Sequence, residues 1–229
     1  MRHSRFLTVL AMAGALTWLS CGGDEGSAEE NLWPNLTVDD AAKTVTVDTT
    51  LQRDVALAGT WHLLVYEHGS NAGVSMFVTS AEPAETYAAL KHLGGDDGDN
   101  VSIENVAEPE VFTEGSTVEF TFTWEGADKA YTLAELLMEE EGLTGGDPVG
   151  LEMKFGGNYS GVEGTNPADE TGCSACLFSC KAGITSNASA NMSMHKADGT
   201  EDEEVWRYKG NPDVLPADGT AVTITMTMK

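Results

Sequence analysis

Basic side chains are scarce in this chain: 12 lysines and arginines stand against 37 aspartates and glutamates, a formal charge of −25. So acidic a surface repels phosphate backbones and anionic lipid surfaces, and no basic stretch interleaved with aromatics offsets it; nucleic-acid binding is excluded. Catalytic signatures are also missing. There is no G-x-S-x-G, H-E-x-x-H, P-loop or G-x-G-x-x-G, so no enzyme class is indicated. Beyond residue 19 no run is apolar and long enough for a membrane-spanning helix. Cysteine is the last scarcity. There are 4, and three of them fall together in Cys173-Ser-Ala-Cys176-Leu-Phe-Ser-Cys180.

C-x2-C-x3-C gathers three soft sulfur donors on one loop or helical turn, a spacing suited to an iron–sulfur cluster or a thiophilic ion such as copper or zinc. The same spacing permits one disulfide plus a spare thiol. A third use is thiol–disulfide exchange through Cys173 and Cys176, which needs a thiolate held by a cation or a helix N-terminus. Lys181 is the one cation close in sequence, and Asp169 and Glu170 oppose it.

The N-terminus sets the compartment. Arg2, His3 and Arg5 precede an apolar stretch from Phe6 to Leu19, followed by Ser20-Cys21-Gly22-Gly23. This is the layout of a secretory signal peptide, and a cysteine after a small residue at the cleavage point resembles a bacterial lipoprotein signal. Residues 1–20 are expected to be removed, leaving Cys21 with a diacylglycerol as the membrane anchor. Trp18 stands where such signals usually carry Leu, with Leu19 one place late. Losing Arg2 and Arg5 leaves 10 of the 12 basic residues against 37 acidic ones, a mature charge near −27. The expected location is the bacterial cell envelope, outside the cytoplasm. With Cys21 lipidated, an odd number of thiols remains in an oxidising compartment, which points to a ligand role, an intermolecular bond or a free thiol.

Residues 21–37 read as the lipidated cysteine and a flexible acidic tether, and 38–229 as a single domain. Strand patterns dominate that domain. Val45 and Val47, then Val118, Phe120, Phe122 and Trp124, then Leu151, Met153 and Phe155, then Val222, Ile224, Met226 and Met228 alternate with polar residues. Further strands are expected over Trp61–Tyr66 and Val74–Val78. Two short packing helices are expected: about 82–93, with Pro83 in its first turn and Gly94-Gly95 beyond its end, and 133–141, opened by a capping box from Thr132 to Glu135. The expected class is α+β, a predominantly antiparallel sheet with two short helices.

Several stretches in this arrangement resemble the YdjY-type domain: Ser75 to Gly94, Thr123-Trp-Glu-Gly126, Phe155-Gly-Gly-Asn158, the closing Gly210 to Thr220 and, most specifically, the cysteine segment 171–188. The resemblance spans roughly 38–229. Lipoproteins with this domain often carry a "4Fe-4S ferredoxin" label, so the resemblance implies Cys173, Cys176 and Cys180 as ligands, with electron transfer to a redox partner protein. This chain has Lys181 where relatives tend to have proline, and Glu170 where a full ferredoxin run would have its first cysteine. Three thiolates leave one position of a four-cysteine cluster to be filled from elsewhere, and a chain exported unfolded does not easily carry a preassembled cluster.

Other polar residues read more plainly. Met192, Met194 and His195 supply soft donors but also fit one strand, with the methionines in the core. Asp96 to Asn100 has its glycine misplaced for an EF-hand loop and reads as an acidic turn. His62 and His68 flank a strand with no sequence neighbour to make either a base. Gly156-Gly157-Asn158 reads as a strand-ending turn.

Overall fold

The computed structural model describes residues 33–138, 150–159, 167–195 and 208–229. The signal segment, Cys21 and the tether up to residue 32 lie outside the described residues. In chain order the elements are β1 (Leu36–Asp39), β2 (Thr44–Leu51), α1 (Arg53–Ala58), β3 (His62–Tyr66), β4 (Ser75–Thr79), α2 (Pro83–His92), β5 (Val118–Trp124), β6 (Tyr131–Thr132), α3 (Leu133–Leu136), β7 (Leu137–Met138), β8 (Met153–Phe155), α4 (Pro167–Thr171), β9 (Cys173–Cys176), β10 (Thr185–Asn187), β11 (Lys209–Gly210) and β12 (Ala221–Met228).

Ten strands form one sheet in the order β6-β5-β12-β2-β4-β3-β9-β10-β8, with β1 also on β2. Strands β7 and β11 make a separate pair. Most pairings are antiparallel, and the α+β class with a mainly antiparallel sheet holds. Two pairings are parallel, β3 with β4 and β9 with β10. Residues 67–74 therefore do not close a hairpin. They run back along β3 and start β4 from the same end, through a 3-10 turn at Ala72–Val74.

Period-two patterning built the central strands as expected. Val47, Ile224 and Phe122 stand in register across β2, β12 and β5, and Val45, Met226 and Phe120 repeat the row one pleat on. All six are buried. Phe122 stacks on Phe77 at 5.5 Å between ring centres, joining the β5 side of the sheet to β4.

Helix α2 begins and ends where its signals say. The backbone N–H of Glu82 donates to the Glu85 carboxylate (3.1 Å), and Gly94, at φ 88°, turns the chain beyond the last turn. Helix α3 does not run to residue 141. Its capping box forms, with Glu135 accepting from the Thr132 N–H at 2.8 Å and Thr132 Oγ1 accepting from the Glu135 N–H. After one turn the chain leaves the helix, because Leu137 and Met138 pair with Gly210 and Lys209. A tertiary pairing outweighs local propensity here; residues 139–141 lie outside the described residues. Helices α1 and α4, of 6 and 5 residues, carried too short a pattern to be expected. Met192–His195 forms a 3-10 turn and not a strand. Met192 packs on the core while Met194 is exposed, so the two methionines do not share a buried face.

The acidic turn after α2 is tied down by ordinary pairing. Asp97 accepts from Tyr87 Oη (2.7 Å) and from Lys91 Nζ (2.6 Å). Burial pushes the Asp97 carboxyl up, but these donors outweigh it and hold it below the usual carboxylate range. Burial, then the bond to Asp97, pushes the Tyr87 phenol up to about 12.

Two outcomes follow. Phe122→Ala should lower stability by about 3–5 kcal/mol, read as a shifted urea midpoint at unchanged slope. Tyr87 has a folded pKa above its ordinary 10.0, so its contribution to stability is complete below pH 10 and is lost as pH rises through about 12. A phenolate titration followed at 295 nm should show a last step near 12 that is missing in Tyr87→Phe.

Candidate functional site

The thiol segment is neither a free loop nor a helical turn. Cys173 to Cys176 is a buried strand pressed between β3 and β10. Its entry is set by backbone contact. Gly172, at φ 75°, lies so close to Gly69 that a Cβ on Gly69 would stand 2.5 Å from the Gly172 Cα. Three hydrogen bonds fix this crossing: Tyr66 N–H to Gly172 O at 2.7 Å, Ser70 N–H to Glu170 O at 3.0 Å and Asn71 N–H to Thr171 O at 3.2 Å. The β3–β4 connection is thereby held over the start of β9, and the Asn71 carboxamide reaches the Cys173 Sγ at 3.5 Å.

Residues three apart on a regular strand point to opposite faces. The β3–β9 ladder is irregular, however. Val65 pairs with Cys173, Leu64 with Ala175 and His62 with Cys176, with a register shift between each. Irregularities of this kind re-aim side chains, and here both thiols reach one imidazole. The Cys173 Sγ lies 3.5 Å from His62 Nδ1, and donor atoms of His62, Cys173 and Cys176 all lie within 4.8 Å of one another.

The three cysteines are free thiols and all buried. They are not equivalent. Cys180 stands outside the His62–Cys173–Cys176 group, with its thiol beside that of Cys176. Its Sγ accepts from the Ala182 N–H at 3.4 Å. Its carbonyl accepts from Asn158 Nδ2 at 2.7 Å, and the same amide reaches Gly183 O at 3.2 Å. The Gly156–Asn158 turn thus serves as a clamp on the cysteine loop.

Hydrogen bonding polarises the pair. The neighbouring Cys176 thiol favours a thiolate at Cys173; this outweighs burial and, with the imidazole and Asn71, holds Cys173 well below the usual thiol range. Cys176 is pushed well above it by Cys173, by its neighbour Cys180 and by burial. Cys173 and Cys176 are wholly inaccessible, whereas His62 is partly exposed. A cavity of about 360 Å³ lined by Val55, Ala58, Thr60, Trp61, His62 and Val74 opens beside it. The imidazole is therefore the group of this cluster with a way out.

Sequence reasoning singled out Cys173, Cys176 and Cys180 and missed His62. His62 reads in the sequence as a strand-flanking histidine with no neighbour to make it a base; in the fold the Cys173 sulfur lies against its ring from 111 residues away. Nothing local marks His62, since only the β3–β9 pairing brings it there. Met194 projects outward, and the His195 side chain lies outside the described residues.

Fold and site define an α+β protein with a thiol–imidazole cluster buried in a mainly antiparallel sheet. The YdjY domain matches residues 36–227, and the chain belongs to that family. It is 34% identical over 225 residues to "Uncharacterized protein YdjY" of Escherichia coli (strain K12), across 96% of this chain and 91% of that protein. No solved structure matches.

A Cβ at Gly183 would lie 2.5 Å from Ser186 Oγ, 2.9 Å from Thr185 O and 3.1 Å from Cys176 Sγ. Gly183→Ala should therefore push β10 off β9, costing about 1–3 kcal/mol. Denaturant unfolding should show that loss, together with faster labelling of the cysteines by a thiol reagent.

Proposed function

We propose that this chain is an exported, lipid-anchored bacterial protein that holds one thiophilic ion, copper or zinc, between Cys173, Cys176 and His62. The observation that carries the reading is the spacing of the donors. A tetrahedral ion with sulfur at about 2.3 Å and nitrogen at about 2.0–2.1 Å sets those atoms about 3.5 Å apart. His62 Nδ1 and Cys173 Sγ stand 3.5 Å apart. In the ion-free protein the same contact serves as a hydrogen bond.

Two thiolates and one imidazole are soft to borderline donors, and they suit copper or zinc better than oxygen-seeking cations. An iron–sulfur cluster fits the donor set less well. Cluster cysteines ligate different irons and are held apart by the cluster, whereas these donor atoms all lie within 4.8 Å of one another. With copper the centre could also exchange an electron with a partner protein. Anchoring through Cys21 at the envelope, with the chain facing outside the cytoplasm, is supported by the layout of residues 1–23. On this reading the acidic surface keeps the domain clear of anionic headgroups while the lipid keeps it at the membrane.

Full-length mature protein purified without oxygen and assayed by elemental analysis should carry about one copper or zinc per chain and no acid-labile sulfide. Occupancy should fall to background in Cys176→Ser and His62→Ala and persist in Cys180→Ser. Iron and sulfide in matching amounts would replace this reading with the cluster; a metal-free wild-type chain after exposure to either ion would end it.

A further inference from the structure

We propose that Ser186 is the hydrogen-bond donor to the Cys176 sulfur in the ion-loaded protein, a positioning residue on the side of that sulfur away from His62. The inference rests on the metal reading above and goes beyond it by assigning what stabilises the second thiolate.

Three observations converge on Ser186. In the sheet, Cys176 is in register with His62 on β3 and with Ser186 on β10. Paired residues of adjacent strands carry their side chains on the same face, so Ser186 flanks the sulfur opposite the imidazole. Ser186 Oγ and Cys176 Sγ also border one small volume, lying 2.5 Å and 3.1 Å from the point where Gly183 would carry a Cβ. Finally, the Ser186 hydroxyl is fully buried and has no hydrogen-bond partner among the described residues. A buried hydroxyl without a partner is uncommon enough in folded proteins to need a reason.

Ion binding supplies one. A coordinated cysteine is a thiolate, electron-rich and acceptor-only, and a buried one needs donors. Cys173 already has the Asn71 amide. Beside Cys176 stand the Cys173 and Cys180 sulfurs, and both favour its protonated form, so neither serves a thiolate there as a donor. When the ion loads, Cys176 gives up its proton and accepts from the serine hydroxyl, so the orphaned donor and the new acceptor satisfy each other.

The test compares full-length wild type, Ser186→Ala and a control, Thr113→Val. The Thr113 hydroxyl is likewise buried and without a partner among the described residues, but no cysteine is paired with it. Zinc affinity is read by chelator competition, and cobalt(II) serves as the spectroscopic probe. Ser186→Ala should bind zinc about 10–100-fold more weakly and move its sulfur-to-cobalt charge-transfer band to lower energy, since an unbonded thiolate is easier to oxidise. Its metal-free form should melt no lower than wild type. Thr113→Val should keep wild-type affinity and spectrum. Wild-type affinity and band position in Ser186→Ala would overturn the assignment while leaving the metal site standing, and an equal loss in Thr113→Val would reduce it to general packing. A wild-type chain that takes up neither ion would remove both proposals together.

Discussion

The antiparallel pairing of β9 with β3 is the interaction on which the site depends. It is imposed at one end by backbone against backbone, where Gly69 and Gly172 meet too closely for any side chain, and it continues through an irregular ladder to His62 and Cys176. A regular ladder would hold Cys173 and Cys176 on opposite faces. The shifts bring both sulfurs to the same ring. Without that crossing, the strand would present two unrelated buried thiols and the histidine would be an ordinary surface residue.

Around this pairing the fold divides its labour. Strands β2, β12 and β5 form a long, regular, apolar block whose stability comes from area removed from water. Strands β9, β10 and β8 are short and interrupted by turns, and polar clamps hold them together, among them Asn158 on the Cys180 and Gly183 carbonyls and Asn187 on Leu177 O and Tyr208 Oη. Cys173 and Cys176 sit in the second region, on β9, and meet His62 on β3, which links that region to the first through β4. Burial keeps Cys173 and Cys176 from water on all sides, and the partly exposed imidazole beside the cavity is the open flank. The strongly acidic exterior adds a field that favours cations over anions at that flank.

Much of this was legible in the sequence, and the reasons differ by element. Val118 to Trp124 and Val222 to Met228 show strict alternation because each strand has one wet and one dry face. Helix α2 announces itself through Pro83 and Gly94, whose backbone constraints act locally. The α3 region failed because Leu137 and Met138 pair with a strand more than seventy residues downstream, and a capping box cannot report where its helix must stop. Met192 and Met194 mimic alternation over too few residues to separate a strand from a 3-10 turn.

The sequence by itself determined the central sheet, the position of α2, the acidic exterior and the presence of three clustered thiols, since each follows from local periodicity, backbone constraint or simple count. Membership of the YdjY family was readable in the same local stretches. Only the tertiary structure decided which sulfurs act together. Cys180, inside the motif, stands off from the group, while His62, outside it, completes the group. Sequence spacing fixes how far apart residues are along the chain, but strand register fixes which side chains touch, and register between distant strands is settled by the packing of the whole sheet.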